Sequence, residues 1–414
     1  MVSDNTILGL DIGTSKICAV AGIPLPDGSV RFTAHSEQKS EGVRAGNVIN
    51  LETVLKTIKS VVEDVELNTG SEVKQIVTGV SGSHIEGLFS QGVVGINSKD
   101  QEIHKEDIYR SMEVARAFEL PLDREILHTL VQDFCIDGRS GIKDPVDMVG
   151  HRLETKVMIV TGSVAFSQNL DKCFERLHYT VKRRMLQQLA DSEALLTTEE
   201  REMGTLLINM GAGMTNMIGF VHGAPVYVGG VDIGGDQVTS DLSYILNQPP
   251  QLVEEVKTQF GCCYEPIIDP HETIIIPQAG RLPSIKMPRR ELSKIIEPRV
   301  AEIFAMLRGL LEKRGLLHTF GGGIVLTGGG AMAPGTSQLA TELFDIQARR
   351  ARFTQLNGFE TGFSDLRYST AIGMVLYDAN RQSTNEVGNY QKTRPTVSGK
   401  GVGGRIKNFF DVLF

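Results

Sequence analysis

Leu10-Asp11-Ile12-Gly13-Thr14-Ser15 lies between two strand-like runs, and Ile208-Asn209-Met210-Gly211-Ala212-Gly213 repeats that placement 198 residues later. Each segment offers a glycine-rich hairpin turn. Glycine lets backbone N–H groups approach an anion with no Cβ in the way, and the hydroxyls of Thr14, Ser15 and Thr215 are additional donors. Two such hairpins facing each other would grip a polyphosphate from both sides. A second echo pairs Val77-Thr78-Gly79-Val80-Ser81-Gly82 with Leu326-Thr327-Gly328-Gly329-Gly330-Ala331, glycines directly following a strand in both cases. Glycines there allow close approach of a flat base or a sugar. A lone Asp-x-Gly-Thr is equally an ordinary tight turn, so the weight rests on the recurrence of the pieces and their order.

The elements that must position these turns alternate between β-type and helix-type runs, which favours α/β layers. Strands are expected at 17–23, 30–35, 75–80, 156–161, 205–210, 215–221 and 324–327, with a Pro24-Leu25-Pro26-Asp27-Gly28 turn joining the first two as a hairpin. Leu51, Val54, Leu55, Ile58, Val62 and Val65 fall at helical spacing behind an Asn50 cap. Further helices are expected at 106–118, 165–177, 236–246, 252–260 and 291–314.

With 414 residues, 41% hydrophobic and 22% charged, the chain can build two or more domains with their own cores. Five scattered cysteines show no repeated pair spacing, so neither a disulfide framework nor a zinc site is expected. No signal peptide and no run of spanning length is read at the N-terminus or elsewhere. The net charge of −8 argues against nucleic acid as a general partner. The charge is uneven: from Arg381 onward six basic residues face two acidic ones, about +4 against about −12 for the remainder.

The two hairpins, the later triple glycine and their order resemble the actin, sugar-kinase and heat-shock chaperone ATPase superfamily. Within it the chain resembles the FtsA family of bacterial division proteins over about 370 residues. The resemblance is carried by Leu8-Gly9-Leu10-Asp11-Ile12-Gly13-Thr14-Ser15-Lys16, Gly141-Ile142-Lys143-Asp144-Pro145-Val146, Ile296-Glu297-Pro298-Arg299, Gly323-Ile324-Val325-Leu326-Thr327-Gly328-Gly329 and Tyr368-Ser369-Thr370-Ala371-Ile372-Gly373, in family order. It implies an actin-like two-half α/β fold with a nucleotide cleft between the halves. The first-half core would be 1–82 and 162–203, interrupted by a family-specific subdomain at 83–161. The second-half core would be 204–235 and 315–379, with an inserted lobe at 236–314. A flexible linker, 380–403, and a membrane-targeting helix, 404–414, would follow.

The resemblance also implies a site for ATP and Mg²⁺. The first phosphate loop would be Asp11, Gly13, Thr14, Ser15 and Lys16, with Asp11 reaching the metal through water. The second would be Asn209, Gly211, Gly213 and Thr215. Gly328, Gly329, Gly330 and Met332 would meet adenosine. Glu254 and Lys257, in a Glu-x-x-Lys-x-x-x-Gly segment, would lie against ribose and base, although alone they read as a solvated helix face. No catalytic residue is assigned. The family's second hairpin reads approximately Asp-x-Gly-Gly-Gly-Thr-x-Asp, whereas this chain has Asn209 and Asn216 in place of both carboxylates, so ATP binding with weak or absent hydrolysis is expected.

On a helix, Ile406, Phe409, Phe410, Leu413 and Phe414 form one apolar stripe, with Arg405 and Lys407 on the other side. Self-packing, a protein partner and an anionic membrane surface are the three readings of this stripe. The FtsA resemblance selects the membrane, with a peripheral location on its cytoplasmic side at the division site. It further implies self-association into filaments, contact with other division proteins, and capture of the C-terminal peptide of FtsZ on the inserted lobe, where Arg299 would pair with a peptide carboxylate. A phosphotransferase of the same fold and a pilus-assembly relative are the alternatives.

Overall fold

The computed structural model describes residues 6–73, 75–280, 283–354 and 365–390, side chains being described as far as Arg381 in the last span. The stripe at 404–414 lies outside the described residues. Three strands open the chain, β1 (Ile7–Ile12), β2 (Lys16–Pro24) and β3 (Val30–Lys39), followed by a two-residue ladder, β4 (Val43–Arg44) with β5 (Asn47–Val48). Helix α1 (Leu51–Thr69) begins where the Asn50 side chain accepts from the Thr53 N–H, 3.2 Å, and ends at Gly70 with φ +64°. It buries Val54, Leu55, Ile58, Val61, Val62 and Val65. Each such side chain contributes roughly 1.5–3 kcal/mol. Strand β6 (Gln75–Val80) then pairs parallel with β1.

An inserted module follows: β7 (Glu86–Gly95), α2 (Lys105–Arg116), β8 (Arg124–Ile136), β9 (Arg139–Ile142) and β10 (Arg152–Ser163), in the sheet order β7-β10-β8-β9. The chain re-enters the first half through α3 (Val164–Leu177) and β11 (Thr180–Leu186), and crosses to the second through α4 (Gln187–Leu195) and α5 (Thr198–Met203).

The second half repeats the first. Strands β12 (Thr205–Met210), β13 (Thr215–Val221) and β14 (Ala224–Val231) form the antiparallel ribbon, and a lobe of α6 (Gly235–Leu246), α7 (Pro250–Phe260), β15 (Thr273–Ile276), β16 (Ile285–Pro288) and α8 (Arg289–Glu312) intervenes. Strand β17 (Ile324–Thr327), α9 (Thr336–Phe344), β18 (Ala348–Arg350) and α10 (Ser369–Tyr390) complete it. The two sheets, β3-β2-β1-β6-β11 and β14-β13-β12-β17-β18, share one topology position by position. Asp11 faces Cys18 across β1–β2, and Asn209 faces Asn216 across β12–β13, at the same 198-residue offset.

One correction concerns the expected linker from residue 380. Helix α10 continues to Tyr390. Its beginning is held in the core by Ala371, Ile372, Met374, Val375 and Leu376, Asp378 pairs with Lys182 at 2.7 Å, and Arg381 lies over the Tyr377 ring. The apolar periodicity stops after Ala379, but no proline interrupts the helix before it ends.

Candidate functional site

Both glycine-rich turns close in the same way. The Gly13 N–H donates to the Lys16 carbonyl at 3.0 Å, and the Gly211 N–H to the Met214 carbonyl at 2.9 Å. The turn residues between, Thr14-Ser15 and Ala212-Gly213, carry N–H groups with no acceptor among the described residues. The two tips touch: a Cβ built on Gly213 would stand 2.6 Å from Thr14 Oγ1 and 2.9 Å from its Cγ2. Two sets of N–H groups without an acceptor thus meet from opposite halves, an arrangement suited to phosphate oxygens.

Helix α4 underlies both turns. Gln187 Nε2 donates to Asp11 Oδ1 at 2.7 Å, and one helical turn later Asp191 Oδ2 accepts from Asn209 Nδ2 at 2.6 Å. Asp191 is fully buried, and its other oxygen accepts from Ser369 Oγ at 2.7 Å and Thr370 Oγ1 at 2.9 Å. Burial pushes the Asp191 carboxyl up, against those three donors. Asp11 is also buried. Loss of water raises its carboxyl to about 6, with Lys16 pulling it down and Asp191 pushing it up.

Lys16 itself bends away from the tip. Its Nζ donates to the Arg367 carbonyl, lies 4.4 Å from the Tyr368 ring centre and pairs with Glu37 at 3.6 Å. Thr215 is likewise committed, its hydroxyl donating to the Ile233 carbonyl at 2.8 Å. That bond, with Gly235 N–H to Gly211 O (2.9 Å) and Asp236 N–H to Ala212 O (2.8 Å), lays residues 233–236 against the second turn. Gly234 is required at the crossing, because a Cβ there would meet both the Gly211 and Ala212 carbonyls at 2.5 Å. Lys257 Nζ reaches the same place, donating to Gly235 O at 3.0 Å and Thr239 Oγ1 at 2.8 Å while pairing with Glu254 at 2.6 Å. Glu254 and Lys257 therefore brace the hairpin support.

On the other flank, Gly328 has φ +82°, and a Cβ would meet Asn209 Oδ1 at 2.4 Å. Gly330 packs on Met210, whereas Gly329 faces open space. Met332 lines a recess of about 320 Å³ with Arg350, Arg352, Phe353 and Leu366. Arg299 is in the lobe, on α8. Its Nε and Nη2 engage Asp241 of α6 at 2.6 and 3.2 Å, and Nη1 engages Glu302.

Two family models match the chain: an SHS2 domain inserted in FtsA at residues 82–161, and Cell division protein FtsA at 206–373. The Cell division protein FtsA of Borreliella burgdorferi is 41% identical over 413 residues, 99% of this chain and 100% of that one. The chain belongs to the FtsA family. The Pseudomonas aeruginosa and Escherichia coli K12 FtsA proteins are 35% and 30% identical, over 92% and 90% of this chain and 91% and 90% of their own. This family member shares its fold with the PilM–PilN type IV pilus biogenesis complex (TM-score 0.62, 16% identity, 90% and 98% coverage). It does so also with Spiroplasma citri MreB5 bound to AMPPNP (TM-score 0.56, 13%, 93% and 99%). The fold is thus actin-like, with the SHS2 module in its first half, and the protein is one of cell division.

Gln187 and Asp191 escaped the sequence reading. The Gln187-Gln188-Leu189-Ala190-Asp191-Ser192 stretch looks like a polar helix face, although Gln188, Asp191 and Ser192 are all buried. A usable signal was present: this segment follows β11 just as glycines follow the paired strands, at the crossing between the halves.

Proposed function

We propose that this chain binds ATP between its two hairpins and serves as a filament-forming adaptor that anchors FtsZ to the cytoplasmic face of the membrane at the division site. The observation that carries the nucleotide reading is the tip-to-tip meeting of the hairpins, with the N–H groups of Thr14, Ser15, Ala212 and Gly213 bonded to no acceptor among the described residues. The glycine at 329, with open space beside it, and the Met332 recess suit a base and sugar on the adjoining flank. Nucleotide-bound Mg²⁺ supplies positive charge against the phosphates, and Asp11 is the hairpin carboxylate suited to holding its water. The described residues contain no cluster of three metal-ligating side chains, so the metal would depend largely on the nucleotide.

Hydrolysis should be weak or absent. The amide of Asn209 is committed to Asp191, and Asn216 brings no charge, so neither polarises an attacking water as a carboxylate would. Nucleotide then braces the two halves for filament contacts. The tail supports the membrane part. Read as a helix, the tail sets five apolar side chains on one stripe, each worth roughly 1.5–3 kcal/mol when fully buried, which offsets much of the ordering of a short helix, and the adjacent cations favour anionic lipid. No helix among the described residues is long and apolar enough to cross a membrane.

The test is flotation of the purified full chain with anionic vesicles, with and without ATP, in the presence of FtsZ. Co-flotation of both proteins in ATP is expected. A chain that binds no ATP in equilibrium dialysis, or that stays at the bottom of the gradient, overturns the corresponding half of the reading.

A further inference from the structure

Helix α4 holds both hairpins with two side chains four residues apart. Gln187 grips Asp11, two residues before Gly13, and Asp191 grips Asn209, two residues before Gly211. The spacing of the helix thereby becomes the spacing of the tips. Asp191 reaches further than Gln187 does. Its second oxygen accepts hydrogen bonds from the hydroxyls of Ser369 and Thr370 at the start of α10, and Ser369 Oγ lies 3.2 Å from Thr327 Oγ1, the residue before Gly328. Asn209 completes the ring, because its Oδ1 abuts the Gly328 backbone that no side chain could occupy. One buried carboxylate therefore joins the second hairpin, the glycine loop after β17, and both helices that cross between the halves.

We propose that Asp191 is a positioning residue of the nucleotide cleft and forms with Asn209 a matched carboxylate–amide pair, so that a carboxylate introduced at 209 requires the loss of the one at 191. This rests on the nucleotide reading above, but the pairing itself is independent of it. At 191 the structure needs an acceptor for two hydroxyls, and between 191 and 209 it needs one donor and one acceptor. Asp191 with Asn209 satisfies this. The reversed pair also does, since an amide at 191 can accept both hydroxyls through its oxygen and donate to a carboxylate at 209. Two carboxylates leave no donor and repel, and two amides lose the charge-assisted bond.

The experiment compares wild type, Asp191→Asn, Asn209→Asp and the double variant, by ATP affinity and by thermal melting without nucleotide. Each single variant is expected to lose at least about tenfold in ATP affinity and to melt lower, and the double variant to return to within about threefold of wild type. Lowering the pH should selectively restore Asn209→Asp, because a proton shared between the carboxyls recreates the missing donor. Asp11 faces the pair from β1 and is itself pushed up by Asp191, while α10 and β17 face it with hydroxyls, so the pH arm compares Asn209→Asp with wild type, both of which keep Asp191. Additive single effects, or an Asn209→Asp chain that binds ATP as wild type does at pH 8, would overturn the proposal. If Asn209→Asp does not fold, the uncharged cycle of Asn209→Ala with Asp191→Ala reads the same coupling. If wild type binds no ATP, the nucleotide reading fails, and the melting cycle still decides whether the pair is matched.

Discussion

Thr14 and Gly213 meet across the cleft so closely that a methyl group on Gly213 would stand 2.6 Å from Thr14 Oγ1 and 3.1 Å from its Cβ. Rotation of Thr14 relieves the first contact and not the second. Gly213→Ala is therefore expected to part the two tips and to weaken ATP binding by about tenfold, with melting without nucleotide changed little because the turn is at the surface. Adding Thr14→Gly should recover most of the loss. Equal ATP affinity of Gly213→Ala and wild type would show that the tips need not touch to hold phosphate.

The helices beneath the tips are tighter still. A Cβ on Gly373 would lie 1.8 Å from the Ala190 carbonyl oxygen, so α10 crosses α4 at backbone contact. A Cβ on Gly9 would lie 2.3 Å from the Ala371 carbonyl oxygen. Neither neighbour is a side chain that can swing away. Gly373→Ala is expected to cost more than about 3 kcal/mol in denaturant unfolding, through overpacking of a fully buried crossing. A cost below about 1 kcal/mol would mean that the two helices slide freely.

Acid stability tests the residue before α4. His128 Nε2 accepts from the Leu186 N–H at 2.9 Å, and burial, with Arg183 and Arg381 adding to it, holds the imidazole down at about 4. Between the ordinary histidine value and that value, the unfolded chain takes up a proton that the folded chain refuses, so stability falls as pH falls, by about 3 kcal/mol in all. Asp11 works in the opposite sense, because its raised carboxyl binds a proton first in the folded state and stability from this group rises as pH falls through about 6. His128→Gln keeps an acceptor for Leu186 and removes the first effect. Relative to wild type, its unfolding free energy should gain about 2–3 kcal/mol between pH 7 and pH 4.5. Parallel pH profiles would sink this assignment.

Glycine, not carboxylate, made the fold readable. Gly13, Gly211 and Gly213 follow strands in a repeated order, and backbone demands of that kind are written in single residues. The partners of the hairpins were opaque for the converse reason. Asp191, Asn209, Ser369 and Thr370 are far apart in sequence and polar, and only the crossing of α4 with α10 brings them into one buried cluster. Lys16 and Thr215 show the same limit: adjacency to a glycine-rich turn did not reveal that Glu37 and the Ile233 carbonyl engage them.

The tail offers a prediction independent of the cleft. Phe409→Asp with Phe410→Asp places two charges on the apolar stripe and opposes its burial in lipid. The double variant is expected to leave anionic vesicles in flotation while binding ATP as wild type does. Unchanged flotation would remove the membrane from the proposed function.

Arg299 sets the last test, because its guanidinium is already taken. Asp241 on α6 receives Nε and Nη2, and Glu302, one turn on along α8, receives Nη1. Both Arg299 and Asp241 are about one-quarter exposed, at 25% and 24%, so the clamp is within reach of solvent and a peptide carboxylate can compete for it. If Arg299 is the residue that receives the FtsZ C-terminal peptide, Asp241 is its internal rival. Asp241→Asn should then free the guanidinium and tighten peptide binding by about threefold to tenfold, whereas Arg299→Gln should weaken it by at least as much. Each variant should lose only about 1 kcal/mol of stability, as expected of a partly exposed ion pair. Fluorescence anisotropy of the labelled peptide measures the first effect and denaturant unfolding the second. If both substitutions lower stability and neither moves the peptide affinity, Arg299 does no more than clamp α8 to α6, and the peptide must be sought on another face of the lobe.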